Sequence, residues 1–199
     1  MGKALCVEAP CKINVHLRVK DRRSDGFHDL ESVFLALSWG DTLRVELVDG
    51  EPGDEIRLDA KIPLGEPLPP GRNIIRRAAA LFRDRTGFKG ALRFTLEKRV
   101  PLGAGLGGGS SDGASALLAL NALTGAGLSG EVLRGMAERL GSDVPFFLSG
   151  GAALVTGRGE RIRNIEPPRD IRVVLVNPGF SSGTAEAFRL LDRYREAPD

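Results

Sequence analysis

Hydrophobic and polar positions change their period several times along this chain, and each change marks an element. Residues 4–19 read as two short strands broken at Pro10. In the second, Ile13, Val15, Leu17 and Val19 alternate with Lys12, Asn14, His16 and Arg18, so those polar side chains share one face. Asp21-Arg-Arg-Ser-Asp-Gly26 is a turn. Leu43, Val45 and Leu47 alternate, Asp49-Gly50 turns, and Ile56 and Leu58 alternate again, which predicts a strand-turn-strand unit. Residues 61–72 carry four prolines and read as a loop. From Asn73 the period lengthens to that of a helix, through Ile74, Ile75, Ala78, Leu81 and Phe82, and Gly87 ends it. A strand follows over 91–100.

Beyond a glycine-rich stretch, Ala114–Leu120 is helix-forming, and Ser129 caps a further helix through Val132, Leu133, Met136 and Leu140 to Gly141. Ser142-Asp-Val-Pro145 looks like another helix start. Ala153–Val155 and Arg161–Ile165 predict a hairpin around Gly157-Arg-Gly159. Arg172–Val176 reads as a short strand, Asn177-Pro-Gly179 as a turn, and Thr184 as the cap of a last helix with Phe188, Leu190 and Leu191. Antiparallel strand runs mixed with helices give an α+β class, with no internal repeat.

Composition narrows the function classes. The 199 residues carry 42% hydrophobic and 27% charged side chains and a formal net charge of +2, an ordinary globular balance. Dispersed basic residues and few aromatics give no case for nucleic acid, and no run approaches a membrane span. Cys6 and Cys11 have no partners at metal-ligand spacing and are expected as reduced thiols in the cytoplasm.

The chemistry concentrates in Pro101-Leu-Gly-Ala-Gly-Leu-Gly-Gly-Gly-Ser-Ser-Asp112. Its glycines leave backbone N–H groups bare, and a helix start follows at once, with Ser110, Ser111 and Asp112 as candidate caps. Orphan N–H groups and the positive end of the helix dipole make such a junction an anion site. A tight turn is the plainer alternative, but five glycines and two hydroxyls exceed what a turn needs. No Lys-Ser or Lys-Thr follows, which excludes a Walker A loop. A dinucleotide fold is excluded too. The preceding strand alternates, and about 20 positions on, where an acid is required, stand neutral Asn121 and Leu123.

Four candidates remain outside the loop. Simple solvation accounts for His16 and Arg18, while Lys12 and Asn14, beside the Pro10 break, are the better candidates for a site. Asp143 is a candidate base or merely a helix cap. Phe27-His28 presents a ring and an imidazole, or ordinary hairpin chemistry. Asn73 reads first as an N-cap.

Pro101 to Asn121 resembles the phosphate loop of the galactokinase, homoserine kinase, mevalonate kinase and phosphomevalonate kinase (GHMP) superfamily. Within it, Ala9-Pro-Cys-Lys-Ile-Asn-Val-His-Leu17, Asp25-Gly-Phe-His-Asp-Leu30 and Leu140-Gly-Ser-Asp-Val-Pro-Phe-Phe147 are similar to the 4-diphosphocytidyl-2-C-methyl-D-erythritol kinases. The four blocks come in that family's order. The resemblance implies a GHMP-kinase N-terminal domain, a mixed and mostly antiparallel sheet packed with helices, over 1–165. Residues 166–199 would then be a connecting strand and helix leading to a C-terminal domain expected to be truncated.

It implies ATP with Mg²⁺ as cofactor and phosphorylation of the C2 hydroxyl of a cytidine-diphosphate sugar alcohol, for isoprenoid precursors. By matching positions, Asp143 is the catalytic aspartate and Lys12 the lysine that stabilises charge at the reacting centre, with Asn14 beside them. Phe27 takes the place of an aromatic, usually tyrosine, stacking on cytosine. His28 hydrogen-bonds that base, and Phe188 is its second face. Asn73 and Lys98 fall where the family contacts adenosine. Pro101, Gly103, Ala104, Gly105, Leu106, Gly107, Gly108, Gly109, Ser110 and Ser111 fall in the phosphate cradle. No carboxylate cluster spells a metal cage, so the ion is expected to arrive with the nucleotide.

Overall fold

A computed structural model describes residues 2–51, 53–60, 73–178 and 184–196. The expected loop at 61–72 and the glycine of the Asn177-Pro-Gly turn lie outside them, as does the side chain of Thr184. One long antiparallel hairpin organises the rest. Strand β1 (Ala4–Arg22) pairs with β2 (His28–Val48) from Ala4↔Glu46 to Arg22↔His28. The other edge of β2 is shared. Its later half pairs with β4 (Ala91–Lys98) and its earlier half with β5 (Ala152–Gly157), both antiparallel. Strand β3 (Asp54–Ala60) adds to β4 in parallel, and β6 (Arg161–Ile165) adds to β5. The sheet is mixed and mostly antiparallel, in the order β3-β4-β2-β5-β6, as expected of the α+β class.

Helices α1 (Ile74–Thr86), α2 (Gly108–Thr124) and α3 (Gly130–Leu140) pack together, and α2 lies against β1 and β2. The core between them holds Phe82, Phe94, Leu117, Leu120 and Phe146, each without exposed surface. A short 3₁₀ turn, Val144–Leu148, joins α3 to β5, and α4 (Thr184–Glu196) returns to the β1–β2 turn, where Arg195 donates to the carbonyls of Val19 and Lys20. Among the described residues no helix is long and apolar enough to cross a membrane.

Four expectations need correction. Pro10 does not break β1; the ladder shifts register between Pro10 and Lys12, a bulge that absorbs the missing N–H. β2 begins at His28 rather than Leu43; residues 30–35, which pair with β1 on one edge and β5 on the other, lack the strict alternation of Leu43, Val45 and Leu47. The apolar runs either side of Asp49-Gly50 do not pair with each other: β3 crosses over through α1 to lie parallel to β4. Residues 171–178 form no strand, and Val174 and Val176 stand 87% and 85% exposed.

Candidate active site

The glycine stretch ends on a cap made by backbone alone. Gly107 is the N-cap of α2 in the left-handed region (φ 68°), with no side-chain capping bond, and Gly103 and Gly105 share that conformation. Ser110, Ser111 and Asp112, expected as caps, lie inside the helix instead. A side chain at Gly107 would be strained, and its Cβ would stand 2.8 Å from the Phe147 ring and 3.1 Å from Cγ of Lys12. Glycine is therefore required by both torsion and space. A cavity of about 530 Å³ opens over this turn, walled by the chain from Pro101 through Ser110 and by Asn73, Lys98 and Asp112. Ser111 is not on that wall. It is fully buried, and its hydroxyl has no hydrogen-bond partner.

Asn73 is tied to its local job: its side-chain oxygen accepts from the N–H groups of Ile75 and Arg76 at 3.0 and 3.2 Å, capping α1. Lys98 lies on the wall, but its ammonium is committed. It donates to Asp41 and, at 3.0 Å, to Asp112, and all three residues are at most 3% exposed. Asp41 also accepts from the backbone N–H of Arg99 (2.6 Å) and Val100 (2.8 Å), so it pins the strand end that feeds the glycine turn. Burial pushes the Asp112 carboxyl up to about 7, against the pull of Lys98, which Asp41 also claims. The second oxygen of Asp112 has no partner.

Immediately beside the turn stands a second buried lysine. The register shift after Pro10 leaves the N–H of Lys12 free of the β-ladder, and it donates to the carbonyl of Leu106 at 2.9 Å. The side chain, 5% exposed, donates to Asn14 Oδ1 at 2.6 Å and lies 4.5 Å from the centre of the Phe34 ring. Asn14 is oriented in turn by Ser32, whose hydroxyl donates to the carbonyl of His16. Asp143 Oδ2 lies 3.8 Å from Lys12 Nζ. Burial lowers the Lys12 ammonium pKa, and the Asp143 charge partly restores it. Asp143 precedes the 3₁₀ turn but makes no capping bond, and five residues of 3₁₀ helix give little dipole. Capping does not account for it.

The aromatic candidates gather elsewhere, around a cavity of about 650 Å³ lined by Phe27, His28, Phe188, Asp192 and arginines 22, 158 and 189. His28 is buried. Its ring stacks on Phe188 (5.2 Å, 18°), and its Nε2 lies 2.6 Å from Asp192. Phe27 is 55% exposed, with the Arg158 guanidinium 5.1 Å from its ring centre. Sequence reasoning missed Asp41, Ser32, Phe34, Arg158 and Asp192. Two carried a usable signal: Asp41 is an acid in an otherwise apolar strand context, and Arg158 projects between two glycines. The other three become visible only once β1, β2 and α4 meet.

Three comparisons converge on one family. Residues 73–151 match the N terminal domain of GHMP kinases. The chain is 43% identical over 92% of its length to the chloroplastic 4-diphosphocytidyl-2-C-methyl-D-erythritol kinase of Arabidopsis thaliana, covering 47% of it. It is 44% identical over 93% of its length to the corresponding kinase of Synechococcus sp. (strain CC9605), covering 60%. It superposes with a TM-score of 0.73 and 38% identity on a crystal structure of 4-(cytidine 5'-diphospho)-2C-methyl-D-erythritol kinase, over 98% of this chain and 67% of that one. The chain thus spans about half the length of the plant relative and somewhat more of the bacterial one. Such identity, sustained through nearly all of the chain, assigns it: it belongs to the GHMP kinases and, within them, to the 4-diphosphocytidyl-2-C-methyl-D-erythritol kinase family.

Proposed function

We propose that this chain carries the ATP cradle and reacting centre for phosphorylation of the C2 hydroxyl of 4-diphosphocytidyl-2-C-methyl-D-erythritol. One observation carries the reading: Lys12 and Asp143 face each other beside the glycine turn, each without a structural duty that explains it. Phosphoryl transfer asks chiefly for positioning and for charge stabilisation. The backbone N–H groups from Gly103 to Ser110 cradle the triphosphate, and Asn73 stands on the adenosine side of the same cavity. Lys12, poorly hydrated, lends its positive charge to the oxygens around the transferring phosphorus. Asp143 accepts the proton of the attacking hydroxyl as the new P–O bond forms and the bond to ADP breaks.

Phe27, His28 and Phe188 form the aromatic end, where the cytosine stacks and hydrogen-bonds. Lys98 acts as a positioning residue behind the glycine turn rather than as an adenosine ligand. Among the described residues no three His, Cys, Asp or Glu side chains come together to cage a metal. The donors present fit an ion held mainly by phosphate oxygens, with the Ser110 hydroxyl on the cavity wall as a protein ligand. Mg²⁺ would be held chiefly by the nucleotide, with Ser110 as the protein's candidate ligand, and would supply charge neutralisation. An exposed Cys6 thiol and a buried Cys11 thiol, both unpaired, suit a reducing compartment such as the cytoplasm.

The test is ADP production from ATP by the chain, with and without the cytidylyl substrate, beside mevalonate and homoserine. Stimulation by the cytidylyl compound alone is expected. Equal rates with all three, or stimulation by either small acceptor, would discard the substrate assignment. ATP binding with no transfer to any acceptor would leave a nucleotide-binding module.

A further inference from the structure

The β5–β6 turn, Gly157-Arg158-Gly159, has no part in the fold's core, yet it reaches two cavities. Phe27 and Arg158 line both the aromatic cavity and a neighbouring one of about 500 Å³ that Ser142 and Pro145, on either side of Asp143, also line. The turn is held in place. Gly157 and Gly159 have φ of 72° and 114°, a Cβ at Gly159 would touch Ser142 at 3.6 Å, and the backbone N–H of Arg158 donates to Glu160 at 2.6 Å.

Its guanidinium, by contrast, is uncommitted: among the described residues it makes no ion pair and lies only over the Phe27 ring. Its neighbour Asp25 is occupied by Arg23 at 3.0 Å. The charges around the two cavities differ. In the aromatic one Arg22 lies 3.9 Å from Asp192 and Arg189 3.3 Å from Glu186, which leaves Arg158 as the guanidinium without an ion pair, whereas Glu138 and Glu160 stand with Arg158 around the other. An aromatic slot with surplus guanidinium charge suits a nucleobase followed by phosphates, and the acidic side suits hydroxyls.

We propose that Arg158 is the diphosphate anchor of the cytidylyl substrate, gripping the phosphates where they leave the aromatic cavity and pass Phe27 toward Asp143. This deepens, and rests on, the substrate reading above. Any molecule with its base among Phe27, His28 and Phe188 and its hydroxyl at Asp143 must span the partition that Phe27 and Arg158 make. In this substrate the spanning part is the diphosphate. Arg158 thus selects for a charged connector, while the rings select for the base.

The test is calorimetric titration of the chain with cytidine, CMP and CDP, and separately with ATP, in the native protein and in Arg158→Gln. Glutamine keeps a planar polar group but removes the charge, shortens the side chain and leaves two N–H donors in place of five. Affinity in the native protein is expected to rise from cytidine to CDP, and that rise to shrink with added salt. In the variant, CDP affinity is expected to fall about tenfold, with cytidine and ATP unchanged, the loss typical of one hydrogen-bonded charge. Unchanged CDP affinity in the variant, beside tight binding in the native protein, overturns the assignment. So does an equal fall for cytidine and CDP, which would make Arg158 a support for the Phe27 ring. A native protein that binds no cytidine compound removes the substrate reading itself, and the anchor with it.

Discussion

Two buried lysines flank the same glycine turn, and their surroundings are opposites. Lys98, 2% exposed, touches two buried carboxylates, one of which also holds two backbone N–H groups. Lys12, 5% exposed, touches a neutral amide and the face of a phenyl ring, and its acid stands back at 3.8 Å. A buried cation held by the Asp41 carboxylate and by the Asp112 carboxyl beside it has little field left for a ligand; it fastens β4 to α2. A buried cation whose contacts are neutral keeps its field, and burial already disfavours its charge. A phosphate oxygen brought to Lys12 would relieve that cost. The comparison separates a lysine that fastens the glycine turn from one whose charge is left for a ligand, as the proposed function requires.

The largest expected effect breaks the working side. Asp143→Ala is expected to lower turnover by about 10²–10⁴-fold, the range of a positioned general base, and to leave ATP affinity intact. Steady-state kinetics beside nucleotide titration check this, and a parallel collapse of ATP binding would place Asp143 among the supports of the turn. Lys98→Met tests the building side. It strands Asp41 as a buried charge beside the Asp112 carboxyl and is expected to cost about 3–5 kcal/mol in urea unfolding, the toll of splitting a buried pair. Lys12→Met then sharpens the contrast. Removing a buried cation with no contacting anion is expected to leave unfolding stability unchanged or raised, while turnover drops by about 10²–10³-fold. If both lysine variants lose stability alike, the two sites do not differ in the way their contacts say.

Much of this division was legible from residues alone, and part was not. The glycine turn was legible because its chemistry is local: positive φ, bare N–H groups and a following helix lie within twelve residues. The helix ends at Asn73, Gly87, Ser129 and Gly141 were legible for the same reason. The parallel placement of β3 and the early start of β2 were not, since pairing across more than 30 residues leaves no mark on local period. Lys98 shows the limit most clearly. The family resemblance implies an adenosine contact for it, but Asp41 stands 57 residues away in the chain and Asp112 looks from the sequence like a helix cap. Once both turned inward, the ammonium was spoken for. Lys12 and Asp143, 131 positions apart, meet only because the bulge after Pro10 and the turn after Gly141 converge on Gly107.

The last test probes the balance inside the Lys98 cluster, one pH step at a time. Asp112 holds its proton up to about pH 7 in the folded chain, against an ordinary value of 3.8, because burial outweighs the attraction of an ammonium shared with Asp41. Between pH 4 and pH 7 the native state therefore keeps a proton that the unfolded chain has released. The stability this group contributes is full below about pH 4 and is lost as pH rises through 7. Asp112→Asn does not titrate, and its amide oxygen still accepts from Lys98, so the variant is expected to lack that decline. The difference in slope is at most about 1.4 kcal/mol per pH unit at its steepest, read from urea unfolding in steps across the range. Parallel curves for the two proteins would mean that Asp112 stays ionised throughout. Lys98 would then be gripped by two full charges, and the contrast with Lys12 would be sharper still.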